Sequence, residues 1–477
     1  MEPTRRELLI GIASTGIAST GIASPGALAT MPRAQVQPAR LLTATTRSLE
    51  VNGRAAQVFA LVGPDGQPGI TLAPDERFAV RLENQAGAPT LVHWHGQLPD
   101  WKQDGFPWPQ TPPIAAGSSH DYDYIPVAGT YWMHSHHALQ EQQLMTAPLI
   151  VHDRRSAAAD VQEVVMMLHD FSFAHPEELL AKLTHNTRAM AGGMNMGSMR
   201  NAMRMGGADL NDVSYDAYLA NERTLADPHV VRAAAAQDIR LRIINGASST
   251  NFWIDLGQLS GAVMEVDGHA VTPVAGSRFP IAMAQRLDIL LRLPSPGFYP
   301  VLAQVEGRTD RSGIILATPG AYVAEVSAQA TTAAPAVDLS LETRLSAADP
   351  LAARSVDVTL PLKLDGDMAK YVWSLNDKVW PDPDILMVEH GQRAAIEMVN
   401  HSMMSHPIHL HGHAFQVIAI NNTKLRGAVR DTVLVPPMGR VTVAFDAGNP
   451  GRWALHCHNL YHMATGMLTE VRYPGVV

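Results

Sequence analysis

The residues best suited to chemistry lie between Gly451 and Met467, in the stretch GRWALHCHNLYHMATGM. Its centre is Cys457, the only cysteine of the 477 residues, so an intramolecular disulfide is excluded and either inert packing or metal and redox chemistry remains. Three histidines and a methionine accompany it: His456, His458, His462 and Met467. A thiolate with two imidazoles and a weak thioether is the ligand set of a blue-copper electron-transfer site, whose second imidazole has to come from elsewhere in the chain.

The order of residues around Cys457 indicates two separate metal sites. If the stretch begins as a β-strand, His456 and His458 point to one face and Cys457 to the other, because side chains alternate with period two. One short peptide then holds copper on one face and presents two imidazoles to a different metal site on the opposite face.

Two patterns recur three times each along the chain. In the first, an alternating apolar strand ends in asparagine, and two marked positions follow nine and eleven residues later. Its copies are Asn84 with His93 and His95, Asn245 with Ile254 and Leu256, and Asn400 with His409 and His411.

In the second pattern, a glycine opens a strand and the marked positions follow five and seven residues later. Its copies are Gly129 with His134 and His136, Gly297 with Leu302 and Gln304, and Gly451 with His456 and His458.

Both patterns repeat about every 160 residues in the same order, which predicts three copies of one β-domain. The first and third copies carry H-x-H at both patterns, whereas the second copy carries none. The two imidazoles of an H-x-H pair on a strand project to the same face. We therefore predict a metal cluster shared by the first and third copies, with the second copy as a spacer.

Only the third copy carries the blue-copper set, because His406, six residues after Asn400, supplies the missing imidazole. At the positions of His406, Cys457 and His462 the first copy has Thr90, Ser135 and Gln140, and the second has Asn251, Ala303 and Arg308. The sequence thus predicts one thiolate copper in the third copy, joined to the shared cluster through the backbone of Cys457.

The composition is that of a packed globular chain, with 46% hydrophobic and 17% charged residues. Thirty-six glycines, 33 prolines and many short alternating apolar runs favour an all-β protein rich in turns. The formal charge of −9 gives no electrostatic reason to expect nucleic-acid binding. After the N-terminus no stretch has the roughly 18 apolar residues of a membrane span.

The N-terminus is typical of a twin-arginine export signal. Arg5 and Arg6 precede a mildly apolar run that ends in A-L-A at 27–29, a small-residue cleavage pattern. We expect residues 1–29 to be removed and the protein to reach the periplasm already folded, through the twin-arginine export machinery. The alternative is a disordered basic tail.

Four motifs resemble the copper motifs of the multicopper oxidases: HWHG at 93–96, HSH at 134–136, HPIHLHGHAF at 406–415 and HCHNLYHMATGM at 456–467. Four motifs in this order are far more specific than one H-x-H alone. The resemblance implies three cupredoxin-like Greek-key β-sandwich or barrel domains and a reaction that couples one-electron oxidations to the reduction of O2 to water. It also implies four copper ions, one of type 1, one of type 2 and two of type 3.

The resemblance further implies a role for each matching residue. The type 1 ligands are expected to be His406, Cys457 and His462, with Met467 in the axial position. The type 2 ligands are expected to be His93 and His409. The type 3 ligands are expected to be His95, His134, His136, His411, His456 and His458. Electrons are expected to pass from Cys457 through its two flanking histidines.

Proton supply rests on weaker signals. Asp104, in the Asp-Gly after the first motif, resembles a carboxylate that many relatives have near type 2 copper; a turn aspartate is the alternative, since Asp-Gly is a common turn. Several laccases and cuprous oxidases have an acidic residue directly after the last type 1 histidine, where this chain has Met463. We therefore expect a different route for protons.

The finer resemblance is to periplasmic copper-resistance oxidases, which share the LYHM…GM ending and the LQEQ stretch at 139–142. Six of the 22 methionines lie between 190 and 205 among several glycines. Thioethers select Cu(I), and glycines weaken a helix, so we expect a Cu(I)-collecting loop at 190–207; apolar core filling is the alternative. Met403 and Met404 are a second candidate for holding Cu(I), with core packing equally consistent.

These features favour a cuprous oxidase acting in copper tolerance. A laccase-like oxidase of phenols or aromatic amines is the alternative within the same chemistry, and a non-enzymatic copper carrier or scaffold lies outside it. The expected segments are the signal at 1–29 and three domains at 30–155, 156–330 and 331–477. The oligomeric state stays open.

Overall fold

The computed structural model describes residues 39–191 and 210–476, with side chains for 39–184 and 210–476. The predicted export signal and the side chains of the predicted Cu(I)-collecting segment lie outside these residues. None of the helices among the described residues combines the length and the apolar character of a membrane span. The described chain consists mainly of β-strands, arranged in three successive pairs of sheets.

The first pair of sheets forms the first domain. Its strands β1 to β8 are Arg40–Val51, Arg54–Val62, Ile70–Leu72, Phe78–Asn84, Val92–His95, Ser119–Tyr124, Gly129–Ser135 and Thr146–Val151. The two four-stranded sheets have the orders β2-β1-β4-β6 and β3-β8-β7-β5. A 3-10 helix, Trp101–Gln103, follows β5. Alternating apolar residues of the two sheets form the core of this domain.

The second domain has a six-stranded and a five-stranded sheet. Its strands β9 to β19 are Gln162–Phe171, Ala217–Ala220, Val230–Arg232, Asp238–Asn245, Phe252–Asp255, Gly261–Val266, His269–Gly276, Arg278–Ile281, Arg286–Arg292, Phe298–Val305 and Arg311–Ala317. The sheet orders are β10-β9-β12-β17-β14-β15 and β11-β19-β18-β13-β16. Helix α1, Arg154–Ala158, precedes β9, and helix α2, Pro176–Ala191, follows it.

The third domain has a seven-stranded and a five-stranded sheet. Its strands β20 to β31 are Val358–Asp367, Val372–Leu375, Leu386–Met387, Arg393–Asn400, His406–Leu410, Phe415–Ile420, Thr423–Lys424, Val429–Arg430, Thr432–Val435, Arg440–Asp446, Arg452–Cys457 and Leu468–Arg472. The smaller sheet has the order β22-β31-β30-β24-β28. A 3-10 helix, Glu342–Arg344, precedes β20, and helix α3, Leu460–Ala464, follows β30.

A buried asparagine ends one core strand in each domain: Asn84, Asn245 and Asn400. In all three, the side-chain oxygen accepts a hydrogen bond from the backbone N–H two residues later, as in an Asx turn. The side-chain amide donates to carbonyls of the following loop and of a later segment, namely those of Ala88 and Ile114, Thr250 and Ile281, and Met404 and Val435. This repeated bonding fixes the loop that leads into the next strand.

The two repeated sequence patterns lie on neighbouring antiparallel strands in every domain: β5 with β7, β13 with β18 and β24 with β30. His93 is in register with His134, and His409 is in register with His456. Because paired residues project to the same face of a sheet, each domain with histidines presents two H-x-H pairs side by side.

Candidate metal centres

Cys457 and two histidines converge on one point inside the third domain. His406 begins β24 and Cys457 ends β30, its neighbour in the sheet. Sγ of Cys457 lies 3.6 Å from Nδ1 of His406 and 3.6 Å from Nδ1 of His462, and the two nitrogens are 3.1 Å apart. All three side chains are fully buried. We call this group the thiolate site.

The thiolate site has the dimensions of a metal site. A point equidistant from its three donor atoms lies about 2 Å from each, close to the usual lengths of metal bonds to nitrogen and sulfur. Burial raises the pKa of the Cys457 thiol, so a bound cation is needed to keep a thiolate there at neutral pH. Met467 is also fully buried; its backbone N–H donates to the carbonyl of His462 (3.0 Å), and its carbonyl accepts from the N–H of Cys457 (3.1 Å).

Helix α3 sets the position of His462. Asn459 caps this helix, because its side-chain oxygen accepts hydrogen bonds from the backbone N–H groups of Tyr461 and His462. The ring of Trp373 packs against the imidazole of His462 with 4.0 Å between ring centroids. The helix turn and the aromatic contact therefore orient this imidazole toward Cys457.

The outer nitrogens of both imidazoles have polar partners. Oγ of Ser402 lies 2.7 Å from Nε2 of His406. Oδ2 of Asp212 lies 3.0 Å from Nε2 of His462 and accepts a hydrogen bond from Asn459 (2.8 Å). Burial acts to raise the pKa of Asp212, but His462 and the hydrogen bonds to this carboxylate lower the pKa overall. An ionised carboxylate therefore lies at the outer edge of the thiolate site.

Eight buried histidines of the first and third domains form a second group, the histidine cluster: His93, His95, His134, His136, His409, His411, His456 and His458. Rings from the two domains stack, with 3.8 Å between the centroids of His93 and His411 and 3.7 Å between those of His95 and His409. Burial lowers the pKa of seven of these imidazoles, to about 3 for His456; the other six are His95, His134, His136, His409, His411 and His458. Neutral imidazoles are the form that binds metal ions.

Two subgroups of the cluster bring ring nitrogens face to face. Nε2 of His93 lies 3.4 Å from Nε2 of His409. Nε2 of His411 lies 3.0 Å from Nε2 of His456, and a nitrogen of His136 lies within 4.8 Å of both of these residues' ligand atoms. Nitrogens about 3 Å apart have the separation of two donors on one metal ion.

The third subgroup is His95, His134 and His458, whose ring centroids lie 4.9 to 5.6 Å from one another. Nδ1 of His95 and Nε2 of the other two are buried and have no hydrogen-bond partner among the described residues. Buried nitrogens without partners are costly in a protein interior unless they bind an ion. These residues fit copper ions, for which imidazole is a preferred ligand.

Asp104 contacts the histidine cluster through its side chain and its backbone. Its Oδ2 lies 2.7 Å from Nδ1 of His411, and its carbonyl oxygen lies 2.8 Å from Nδ1 of His93. The next residue, Gly105, has a φ of +83°, and a Cβ there would lie 1.9 Å from the carbonyl oxygen of Val92. Only glycine allows the loop to approach strand β5 so closely. Asp104 is thus a buried partner of the cluster, only 1% exposed.

Two further acidic side chains, Asp431 and Glu141, contact ring nitrogens on the outer side of the cluster. Oδ1 of Asp431 lies 3.0 Å from Nε2 of His95, and its carbonyl oxygen lies 2.9 Å from Nδ1 of His409. Oε2 of Glu141 lies 2.7 Å from Nδ1 of His134, and burial raises the pKa of this carboxyl well above its usual value. Such partners fix the orientation of metal-binding imidazoles.

Comparison with known proteins assigns the family. Family models described as multicopper oxidase match residues 43–156, 163–326 and 354–475. The chain is 31% identical to the multicopper oxidase MmcO of Mycobacterium tuberculosis, in an alignment that covers 94% of this chain and 89% of the relative. The chain belongs to the multicopper oxidase family.

This multicopper oxidase is also 26% identical to copper resistance protein A of Escherichia coli, over 90% of this chain and 92% of the relative. Its fold is similar to that of the laccase from Botrytis aclada, with a TM-score of 0.73 and 20% identity over 91% of this chain and 88% of that one. The predicted family and the predicted all-β, three-domain cupredoxin-like class are confirmed. The cofactor that the family implies is copper.

In this multicopper oxidase the twelve residues predicted as metal ligands lie in the thiolate site with Met467 and in the histidine cluster. Sequence reasoning missed Asp212, Glu141 and Asp431. The LQEQ stretch at 139–142, which the chain shares with copper-resistance oxidases, could have identified Glu141 from the sequence. Asp431 had none, because it is 336 residues from His95 in the sequence.

Proposed function

We propose that this multicopper oxidase binds four copper ions and oxidises Cu(I) with O2. The type 1 ion would be held by His406, Cys457 and His462 of the thiolate site, with the thioether of Met467 as a further ligand. The type 2 ion is assigned to His93 and His409. One type 3 ion is assigned to His136, His411 and His456, and the other to His95, His134 and His458. The nitrogen positions within each subgroup support this division.

The proposal rests on the end of β30, where neighbouring residues, His456 and Cys457, belong to the two different sites. Cys457 belongs to the thiolate site, whereas Nε2 of His456 lies 3.0 Å from Nε2 of His411 in the histidine cluster. Successive side chains of β30 point to opposite faces, so the two sites are one residue apart in the backbone. Copper bound there supplies one-electron transfer and the reduction of O2 to water.

The chain's own residues supply orientation and a dry environment. Both sites are buried, which excludes water from the reacting region. The carboxyl groups of Asp104, Asp431 and Glu141 contact the imidazoles from outside and fix which ring nitrogen faces inward. The catalytic role of Asp104 in proton supply stays a prediction, supported by its contact with His411.

The outer edge of the thiolate site favours a small cation as the reductant. The carboxylate of Asp212 lies against His462 and attracts positive charge. Leu210, the first described residue after the methionine-rich segment, is two positions before Asp212. Met403 is 63% exposed and follows Ser402, the partner of His406, so its thioether is accessible to Cu(I), whereas Met404 is buried in the core.

A phenol or aromatic amine is the second candidate reductant, because two aromatic side chains lie beside His462. The rings of Trp373 and Tyr371 lie 4.0 and 6.1 Å from its imidazole, between ring centroids. Both rings are buried and His462 is fully buried, so a bulky substrate would have to displace side chains. This favours Cu(I) over a phenol.

Oxygen uptake by copper-loaded protein tests the choice of reductant. We expect faster uptake with a stabilised Cu(I) complex than with a methoxyphenol, in a blue protein. Faster uptake with the phenol would make this a laccase-like oxidase. A blue protein that consumes no oxygen with either reductant would be a copper carrier, and a protein that takes up no copper would be a scaffold.

Two variants test the methionines. Deletion of residues 190–207 and the substitution Met403→Leu should each raise the KM for Cu(I) several-fold and leave phenol oxidation unchanged. Met387→Leu is the matched control, because Met387 is also exposed but lies in β22. Unchanged Cu(I) kinetics in both variants would remove the methionines from the proposal.

The location and the domain limits belong to the same proposal. We propose export of the folded, copper-loaded protein to the periplasm by the twin-arginine machinery, with removal of residues 1–29, and domains at 30–155, 156–330 and 331–477. The three sheet pairs support this division. Replacing Arg5 and Arg6 by lysine should leave the protein in the cytoplasm, as cell fractionation would detect.

A further inference from the structure

Arg286 of the second domain lies at a junction of all three domains. It begins β17 and is fully buried. Its Nη1 donates to Oδ1 of Asp431 in the third domain at 2.8 Å, and its Nη2 donates to Oδ2 of the same carboxylate. Its Nε donates to the carbonyl of Thr130 in the first domain at 3.3 Å. This bidentate pairing fixes both the position and the plane of the Asp431 carboxylate.

Asp431 in turn contacts histidines that come from two different domains. Its Oδ1 lies 3.0 Å from Nε2 of His95, which leaves Nδ1 of His95 free of hydrogen bonds and directed to the cluster. Its carbonyl oxygen lies 2.9 Å from Nδ1 of His409, whose Nε2 lies near His93. A shift of Asp431 would therefore disturb two of the three nitrogen subgroups at once.

The last residue of the HWHG motif leaves the space that this ion pair needs. Gly96 has a φ of +86°, and a Cβ there would lie 2.6 Å from Oδ2 of Asp431 and 2.7 Å from Nη2 of Arg286. Any larger residue would push the two charged groups apart. The motif that supplies His95 thus also accommodates the ion pair that orients His95.

Arg286 is itself held in place by Asp267 of the second domain, a carboxylate that Arg430 of the third domain also contacts. Its backbone N–H donates to Oδ1 of Asp267 at 2.8 Å, and Nε of Arg430 donates to Oδ2 of that carboxylate at 2.9 Å. Arg286 is the only arginine or lysine that pairs with Asp431 in the described chain. Burial would raise the pKa of Asp431, but Arg286 and His95 outweigh it and bring the pKa well below its usual value.

We infer that Arg286 is a positioning residue for the three-copper cluster, supplied by the one domain that contributes none of the proposed ligands of the four copper ions. Through Asp431 it sets the orientation of His95 from the first domain and His409 from the third. The second domain is therefore a structural part of the oxygen-reducing site as well as a spacer. This inference rests on the proposed copper sites.

Copper content and spectra of four purified proteins test the inference: wild type, Arg286→Gln, Arg286→Lys and Arg242→Gln. Arg242 is the matched control, because it is a buried arginine of the same domain whose Nη1 donates to Oγ1 of Thr130 at 2.7 Å and to Asp288, without contacting Asp431. The readouts are copper per protein after dialysis against a chelator, the blue absorption of the thiolate site, and the electron paramagnetic resonance signal of type 2 copper.

We expect Arg286→Gln to keep the blue absorption and to weaken copper binding at the cluster by about 10- to 100-fold, with a changed type 2 signal. The cluster copper content of Arg286→Lys should lie between those of Arg286→Gln and wild type. Lysine keeps the positive charge but cannot form a bidentate pair with a carboxylate. Arg242→Gln should keep the wild-type copper content and spectra. If Arg286→Gln does not fold, the lysine variant carries the test.

Three results would overturn the inference. In the first, the Arg286 variants keep a wild-type cluster. In the second, they lose the blue absorption and the cluster together, which indicates general destabilisation. In the third, Arg242→Gln damages the cluster equally. A wild-type protein without cluster copper would instead refute the proposed function itself, so the two failures are distinguishable in one experiment.

Discussion

The first and third domains fill equivalent positions of the same fold in opposite ways. In the first domain, the residues equivalent to the thiolate site satisfy one another, because Oε1 of Gln140 accepts hydrogen bonds from the hydroxyls of Thr90 and Ser135, both at 2.8 Å. In the third domain, the same three places present a sulfur and two nitrogens with edges of 3.1 to 3.6 Å. In the first domain the three side chains are hydrogen-bonded to one another, whereas in the third domain they have the donor atoms and the spacing of a metal site.

The second domain fills this position in a third way. Asn251 donates to Glu306 at 2.8 Å, Arg308 donates to Asp310 at 2.7 Å, and Ala303 has no polar side-chain atom. The asparagines that end the core strands and the strand pairing are nevertheless common to all three domains. The framework creates the position in all three domains, and three side chains decide whether that position offers donor atoms for a metal ion.

Cys457→Ser should have the largest effect, because it gives the third domain the residue of the first. We expect loss of the blue absorption and no detectable oxygen uptake with Cu(I), with copper retained at the histidine cluster. Absorption spectra, copper analysis and oxygen uptake measure this. Ser135→Ala is the control in the first domain and should change none of them; a colourless Ser135→Ala protein would contradict the comparison.

Glu306→Gln should change how stability depends on pH. Burial raises the pKa of Glu306 to about 7, against the hydrogen bonds from Asn251 and Val337, whereas an exposed glutamate has a pKa of about 4.3. Between these values the folded protein binds more protons than the unfolded chain, so the unfolding free energy falls as pH rises from 4 to 8, by about 3 kcal/mol.

The glutamine variant lacks this component, so the unfolding free energy of the wild type relative to that of the variant should fall as pH rises. Denaturant unfolding of both proteins at several pH values measures it. Parallel pH profiles would show that the Glu306 carboxyl does not titrate in this range.

Asp212→Asn should slow oxygen uptake with Cu(I) by about 10- to 100-fold while the blue absorption stays. The substitution removes the negative charge beside His462. It extends the comparison of the two domains, because the side chain of Gln140, the first-domain equivalent of His462, accepts hydrogen bonds from the neutral hydroxyls of Thr90 and Ser135. Steady-state kinetics measure the effect. Asp216→Asn is the control, because Asp216 accepts hydrogen bonds from Ser172 and Phe173 and does not contact the thiolate site. Equal rates of oxygen uptake with Cu(I) in Asp212→Asn and Asp216→Asn would argue against a role of the Asp212 charge in the reaction.

Gln140→Ala should have the smallest effect, a loss of about 1–2 kcal/mol in unfolding free energy, because it leaves two buried hydroxyls without their shared acceptor. Colour and copper content should not change. Denaturant unfolding measures the loss, and Gln143→Ala, at an exposed contact with His175, is the control. A changed copper content would mean that the first-domain position influences the metal sites.

Much of the fold and of the candidate site could be predicted from local patterns. Strands β4, β12 and β23 end at Asn84, Asn245 and Asn400 as predicted, because an asparagine side chain bonds to its own following loop. The residues for two metal groups were also predictable, since alternation along a strand sends Cys457 and its neighbours to opposite faces. The partners of these residues were not predictable, because they are not nearby in the sequence.

The sequence by itself determined the donor types, their spacing along each strand and the lack of H-x-H pairs at the two repeated patterns of the second domain, since these depend on local periodicity. Only the tertiary structure decided which acidic side chains contact His95, His134, His411 and His462 and that Arg286 reaches Asp431. The physical reason is that buried charges need partners at hydrogen-bond distance, and the packing of three domains brings those partners together from positions up to 336 residues apart.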